Sequence, residues 1–169
     1  MKSSVASSAG PIHLGMDTSK NKIVVGILRW AEQIPDVEMI SNDEASVRRL
    51  IDRFPQRAQL RMCYEAGPTG FGLYRLLTSM GVACEVIAPS QIPRSPGDRV
   101  KTDNRDARRL ARLHRAGELT AVAVPTPVQE VVRDLCRARA SLVAERNRAR
   151  QRLGKFLLRH DHPWRGGDA

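Results

Sequence analysis

The chain has 169 residues, enough for one domain with a real core and a helical appendage. Hydrophobic residues make up 41% and charged residues 27%, as in ordinary folded proteins, while 4% aromatics argue against a base-stacking platform for single strands. A net charge of +10 and a pI near 10.5 favour a polyanionic partner.

Residues 1–11 contain one lysine and no apolar h-region, so they read as a disordered lead-in and not as a secretory signal. No apolar stretch approaches the length of a membrane span. Cys63, Cys84 and Cys136 are odd in number and widely spaced, without zinc-ligand or disulfide patterning. A reducing cytoplasm is the expected compartment.

Residues 12–17 read as a strand ending in Asp17, and residues 18–21 as a tight turn. The β-branched run 22–29 is the returning strand of a hairpin, and residues 37–40 form a third strand. Ser41, Asn42 and Asp43 offer cap residues for a helix carrying Val47, Leu50, Ile51 and Phe54, which Pro55 stops. Residues 59–64 are a strand ending at Glu65. Gly67 and Gly70 serve a turn, and residues 71–80 are a helix closed by Gly81. Residues 84–88 are a further short strand, and the Pro- and Gly-rich run 91–100 is a loop. Thr102 or Asp103 caps a helix reaching Ala116 and closed by Gly117, with His114 on its surface. Residues 121–127 are an extended connector.

From Val128 to His160 apolar residues recur at steps of three or four among arginines. The pattern is that of one long amphipathic helix or two, with a narrow stripe like a coiled-coil seam. The expected organisation is an α/β domain over 12–120, a helical segment over 121–160 and a tail over 161–169. Three adjacent antiparallel strands followed by αβ units imply a mixed sheet with helices on its faces.

Basic residues are unevenly placed. Eight of the 28 lie between Arg94 and Arg115, and ten between Val128 and Ala169, mostly as arginine, which suits bidentate phosphate contacts. Solvated helix faces account for some of them.

Asp17 and Glu65 each follow an apolar strand and precede a turn, which puts them at a sheet rim. Asp103 and Asp106 are three apart at a helix start and share a face. Each acid also has an ordinary reading: a turn former, a surface acid, an N-cap, a first-turn acid. Brought together, four carboxylates would repel unless cations neutralise them, and hard oxygen ligands select magnesium or manganese. Two such ions would clamp the attacking and leaving oxygens of a phosphodiester.

Three runs carry a resemblance: Gly15-Met16-Asp17-Thr18-Ser19-Lys20, then Tyr64-Glu65-Ala66-Gly67-Pro68-Thr69-Gly70, then Lys101-Thr102-Asp103-Asn104-Arg105-Asp106-Ala107. In this order they resemble the DEDD insertion-sequence transposases, whose N-terminal domain is similar to the RuvC resolvase and has an RNase H-like fold. The resemblance implies Asp17, Glu65, Asp103 and Asp106 as the catalytic, metal-binding acids, Mg2+ or Mn2+ as cofactor, and strand cleavage and exchange on DNA at insertion-sequence ends. It also implies a homodimer or higher oligomer through the helical segment and, in some members, a structured noncoding guide RNA. The residues expected to touch nucleic acid are Lys20, Lys101, Arg105, Arg109, Arg133, Arg137, Arg146 and Arg150. Complete members continue into a serine-bearing C-terminal domain. Nothing from Val128 onward resembles it, so a fragment or truncated copy is expected.

Two other readings stand beside this one. The first is a non-catalytic nucleic-acid-binding and dimerisation module. The second is an interaction protein built on the long helix alone.

Overall fold

The computed structural model describes residues 10–93 and 102–163. Lys101, the lead-in up to residue 9, most of the predicted loop 91–100 and Trp164 lie outside the described residues. The chain divides into two units, Met1–Val124 and Pro125–Ala169.

In the first unit the strands are β1 (Ile12–Thr18), β2 (Lys22–Leu28), β3 (Asp36–Ser41), β4 (Leu60–Glu65) and β5 (Ala83–Ile87). The helices are α1 (Glu44–Asp52), α2 (Gly72–Ser79) and α3 (Asp103–Ala116). The five strands form one mixed sheet in the order β3-β2-β1-β4-β5. β1 is antiparallel to β2, which is antiparallel to β3, whereas β1–β4 and β4–β5 are parallel. The result is an RNase H-like α/β fold with helices on both faces.

Alternation sorts the side chains between the faces. Leu14, Met16, Ile23, Val25, Ile27, Met62 and Tyr64 point to one side and bury against Val47, Leu50 and Ile51 of α1 and Leu77 of α2. Cys63 and Ile87 point to the other side, against Leu110 of α3. Caps follow the sequence: Asp43 accepts from Ser46 N at 2.8 Å, and Gly117 closes α3 in the left-handed region at φ 71°.

The predicted connector does more than connect. Ala88 N donates to Thr120 O at 3.0 Å and Val122 N to Val86 O at 2.8 Å, so its first residues cover the outer edge of β5. Val122 and Val124 pack on the core.

α3 lies close on the sheet because Gly15 and Gly26, paired across β1 and β2, carry no side chain toward it. A Cβ on Gly15 would meet Ala111 N, with Leu110 Cβ at 2.6 Å and Ala107 O at 2.7 Å. A Cβ on Gly26 would meet Ala107 O, with Ala107 C at 2.7 Å. Both obstacles are helix backbone, which cannot rotate aside. Ala107 and Ala111 are fully buried at this contact.

The C-terminal half of α3 is held by His114. Its ring meets His13 of β1 edge-on, with centroids 5.0 Å apart and the two Nδ1 atoms at 3.4 Å, and its Nε2 lies 3.5 Å from Glu85. Its side chain is only 9% exposed, which corrects the expectation of a surface histidine. Burial first, then His114, Arg115 and Arg61, push the His13 pKa down to about 4. Burial also lowers that of His114, against the opposing pull of Glu85.

The second unit contains α4 (Pro127–Arg159), a single unbroken helix of 33 residues. Thr126 and Gln129 form a reciprocal capping box, with bonds of 3.3 and 3.0 Å, and Pro127 takes the first helical position. Val128, Val132, Leu135, Leu142, Leu153 and Phe156 are all more than half exposed.

Two outcomes follow. Gly15→Ala and Gly26→Ala are expected to cost about 1–3 kcal/mol each by overpacking. Gly72→Ala, where a Cβ meets nothing within 4 Å, should cost nothing; urea unfolding followed by circular dichroism measures all three. The depressed His13 pKa makes its stabilising contribution complete above pH 6.5. That contribution is lost as the pH falls toward 4, because the unfolded chain takes up a proton that folded His13 refuses. Thermal midpoints between pH 4 and 7 should therefore fall less steeply on the acid side for His13→Gln than for the wild type.

Candidate metal and nucleic-acid site

Asp17 is the last but one residue of β1, and Glu65 the last of β4. These parallel neighbours pair Gly15 with Cys63 and Met16 with Tyr64, so Asp17 and Glu65 come next, side by side. Alternation places both on the α3 face, since Gly15 and Cys63, two residues earlier, contact α3. Glu65 is one of the charges that, after burial, push the Cys63 thiol pKa up.

The direction of α3 supplies the other two acids. His114 near its end sits over His13, and Ala107 and Ala111 sit over Gly15, so the helix runs antiparallel to β1. Its first turn, with Asp103 and Asp106, therefore starts at the rim where β1 and β4 end. Topology thus brings all four predicted acids to one rim of one face.

The loop after Glu65 is fixed to that rim. Tyr64 Oη donates to Gly70 O at 3.2 Å, Gly70 N to Gly67 O at 3.1 Å, and Thr69 Oγ1 lies 3.3 Å from Thr18 Oγ1 of β1. Gly70 turns the chain at φ 68°, a conformation that favours glycine. Ala66 N donates to Ile87 O at 2.9 Å, which extends the β4–β5 ladder past Glu65.

The acids do not close into a finished ligand set: among the described residues, no three His, Cys, Asp or Glu side chains are grouped to hold a metal ion. Asp103 already has a cationic partner, its Oδ2 accepting from Lys22 Nζ at 2.6 Å. Asp106 bears on the fit of a cation. Its Oδ2 is buried and has no hydrogen-bond partner among the described residues. A buried carboxylate oxygen without a partner is costly, and a hard cation is the ligand that oxygen donors would accept. That one oxygen is the feature of this rim that suits a hard cation.

A cleft of about 360 Å³ opens at a different edge, lined by Ile12, Ile27, Arg29, Arg53 and their neighbours. It includes none of the four acids.

Of the residues expected to contact nucleic acid, Lys20 and Arg105 are exposed and Arg109 is partly buried on α3. Arg133, Arg137, Arg146 and Arg150 are exposed on α4. At about 100° per residue, the pair 133/137 and the pair 146/150 fall on roughly opposite sides of that helix. Sequence reasoning missed Lys22 and the glycine pair. Glycine inside an apolar strand was the available signal for a close backbone approach.

Comparison with known proteins adds a family. A transposase family model, of the DEDD type named for IS110, matches residues 14–161. The transposase-named protein y4qE of Sinorhizobium fredii is 44% identical over 163 residues, covering 90% of this chain and 40% of that protein. The transposase for insertion sequence element IS1533 of Leptospira borgpetersenii is 40% identical over 153 residues, covering 89% and 44%. A second Sinorhizobium fredii protein with a transposase name, y4rJ, is 28% identical over 166 residues, covering 88% and 42%. The chain thus spans less than half the length of the curated relatives it matches.

Proposed function

The chain belongs to the DEDD transposase family of the IS110 type, and from that premise we propose that it supplies the four-acid, nuclease-type domain for metal-dependent phosphoryl transfer on DNA. One observation carries the reading: the β1–β4 register and the antiparallel course of α3 bring Asp17, Glu65, Asp103 and Asp106 to a single rim.

Asp17, Glu65, Asp103 and Asp106 would hold magnesium or manganese. Such ions supply positive charge that stabilises the scissile phosphate and its leaving oxygen. The strands fix Asp17 and Glu65, and the pinned loop 67–70 holds the wall beside Glu65. The rigid first turn of α3 sets Asp103 and Asp106 on one face. The attacking group is water or a serine from another part of the protein.

The DNA is held through phosphate contacts. Lys20, Lys101, Arg105 and Arg109 flank the acids in sequence. The arginines of α4 present basic faces on two sides of that helix for DNA or for a structured RNA. The exposed apolar stripe of α4 is assigned to self-association into a dimer. No described helix is long and apolar enough to cross a membrane.

The deciding experiment is calorimetric titration of magnesium and manganese into the chain, with Asp17→Asn and Asp106→Asn in parallel. The expected outcome is metal binding in the wild type that both substitutions abolish, while salt-sensitive DNA binding survives in both. Metal binding unchanged by both substitutions would remove the four-acid reading. The chain would then stand as a non-catalytic nucleic-acid-binding and dimerisation module.

A further inference from the structure

Lys22 opens β2, and alternation with Val24, Gly26 and Leu28 puts it on the α3 face. β2 is antiparallel to β1, with Asp17 opposite Val24 and Thr18 opposite Ile23, so Lys22 lies at the rim where β1 ends, two residues along β2 from the partner of Asp17 and on the same face. From there Nζ reaches 2.6 Å to Asp103 Oδ2, across 81 residues of sequence. The ammonium is thus paired with one of the four acids, at the strand ends that also carry Asp17.

The pair is not a buried strut. The two side chains are 47% and 50% exposed, and exposed ion pairs contribute little to stability. An ion pair that does little for the fold, made with one acid of a like-charged rim, calls for another account. Asp106 sharpens the contrast: one turn along the same helix, its Oδ2 is buried and has no hydrogen-bond partner among the described residues. One acid of the α3 turn thus has a cation, and the other has an oxygen fit for one.

The geometry points to Lys22 as the resident counter-ion of the acid rim: its ammonium holds Asp103 while no metal is bound, and gives way when a divalent cation binds there. This rests on the four-acid reading above. Lys22 is then a positioning residue. It sets the affinity for metal by competing for Asp103.

The test is calorimetric titration of Mn2+ into the wild-type chain and into Lys22→Met, Lys22→Gln, Lys22→Arg and Asp106→Asn. Both neutral variants are expected to bind Mn2+ more tightly, by up to about fivefold, the equivalent of the upper end for an exposed ion pair. Lys22→Arg, which keeps the charge, is expected to stay at the wild-type affinity. Thermal midpoints of all the Lys22 variants should stay close to wild type, which separates competition from damage to the fold.

Equal or weaker binding by both neutral variants, with wild-type binding lost in Asp106→Asn, would overturn the counter-ion role and leave the four-acid site standing. A gain in affinity shared by Lys22→Arg would overturn it too, because charge would not be the cause. Binding that persists in Asp106→Asn, or that is absent from every variant, would remove the four-acid site and this inference with it.

Discussion

The approach of α3 to the sheet depends on two glycines facing helix backbone. Gly15 and Gly26 sit opposite each other on β1 and β2, and the backbone at Ala107 and Ala111 occupies the space their side chains would fill. Glycine within a strand weakens it through entropy and lost packing. Here the strands are central, and full burial of Ala107, Leu110 and Ala111 offsets the loss. The consequence for function is positional. The middle of the helix is seated on the glycines, and its end is held through His114 against His13 and Arg115 against Glu32 O. Asp103 and Asp106 are therefore set over the ends of β1 and β4 by packing that lies well away from them.

That arrangement has an electrostatic cost. Four carboxylates at one rim repel, and the buried Oδ2 of Asp106 adds a desolvation penalty. Three features reduce it. The N-terminal dipole of α3 favours anions in its first turn. Asp17 and Glu65 keep partial exposure. Lys22 brings a positive charge to Asp103. On the proposed four-acid reading, such a rim would trade stability for cation binding. The +10 charge of the chain would, on the same reading, favour approach of a phosphate backbone over longer range.

The elements of the first unit were legible in the sequence because each has a local signature. Apolar runs marked β1, β2 and β4, Asp43 marked the start of α1, and Gly117 marked the end of α3. The three motif runs singled out the four acids as candidates, and strand register sets Asp17 and Glu65 side by side. What escaped reading depends on partners far apart in sequence. Nothing local pairs His13 with His114, or Lys22 with Asp103. His114 falls on a helix position that reads as surface until the sheet beneath it is known. The segment after Thr120 looks like a linker because its hydrogen bonds go to β5 and not to a neighbour in sequence. For α4, a 33-residue helix and two shorter ones carry the same periodicity, so the stripe alone could not decide between them.

The most direct test of the account is a crystal structure of the chain grown with Mn2+, with anomalous scattering used to place the metal. The account predicts an anomalous peak at carboxylate-ligand distance, about 2.0–2.2 Å, from oxygens of Asp17 and Asp106, with Asp103 turned from Lys22 toward the ion. A peak away from this rim, or an α3 whose first turn lies elsewhere than over the ends of β1 and β4, would contradict it.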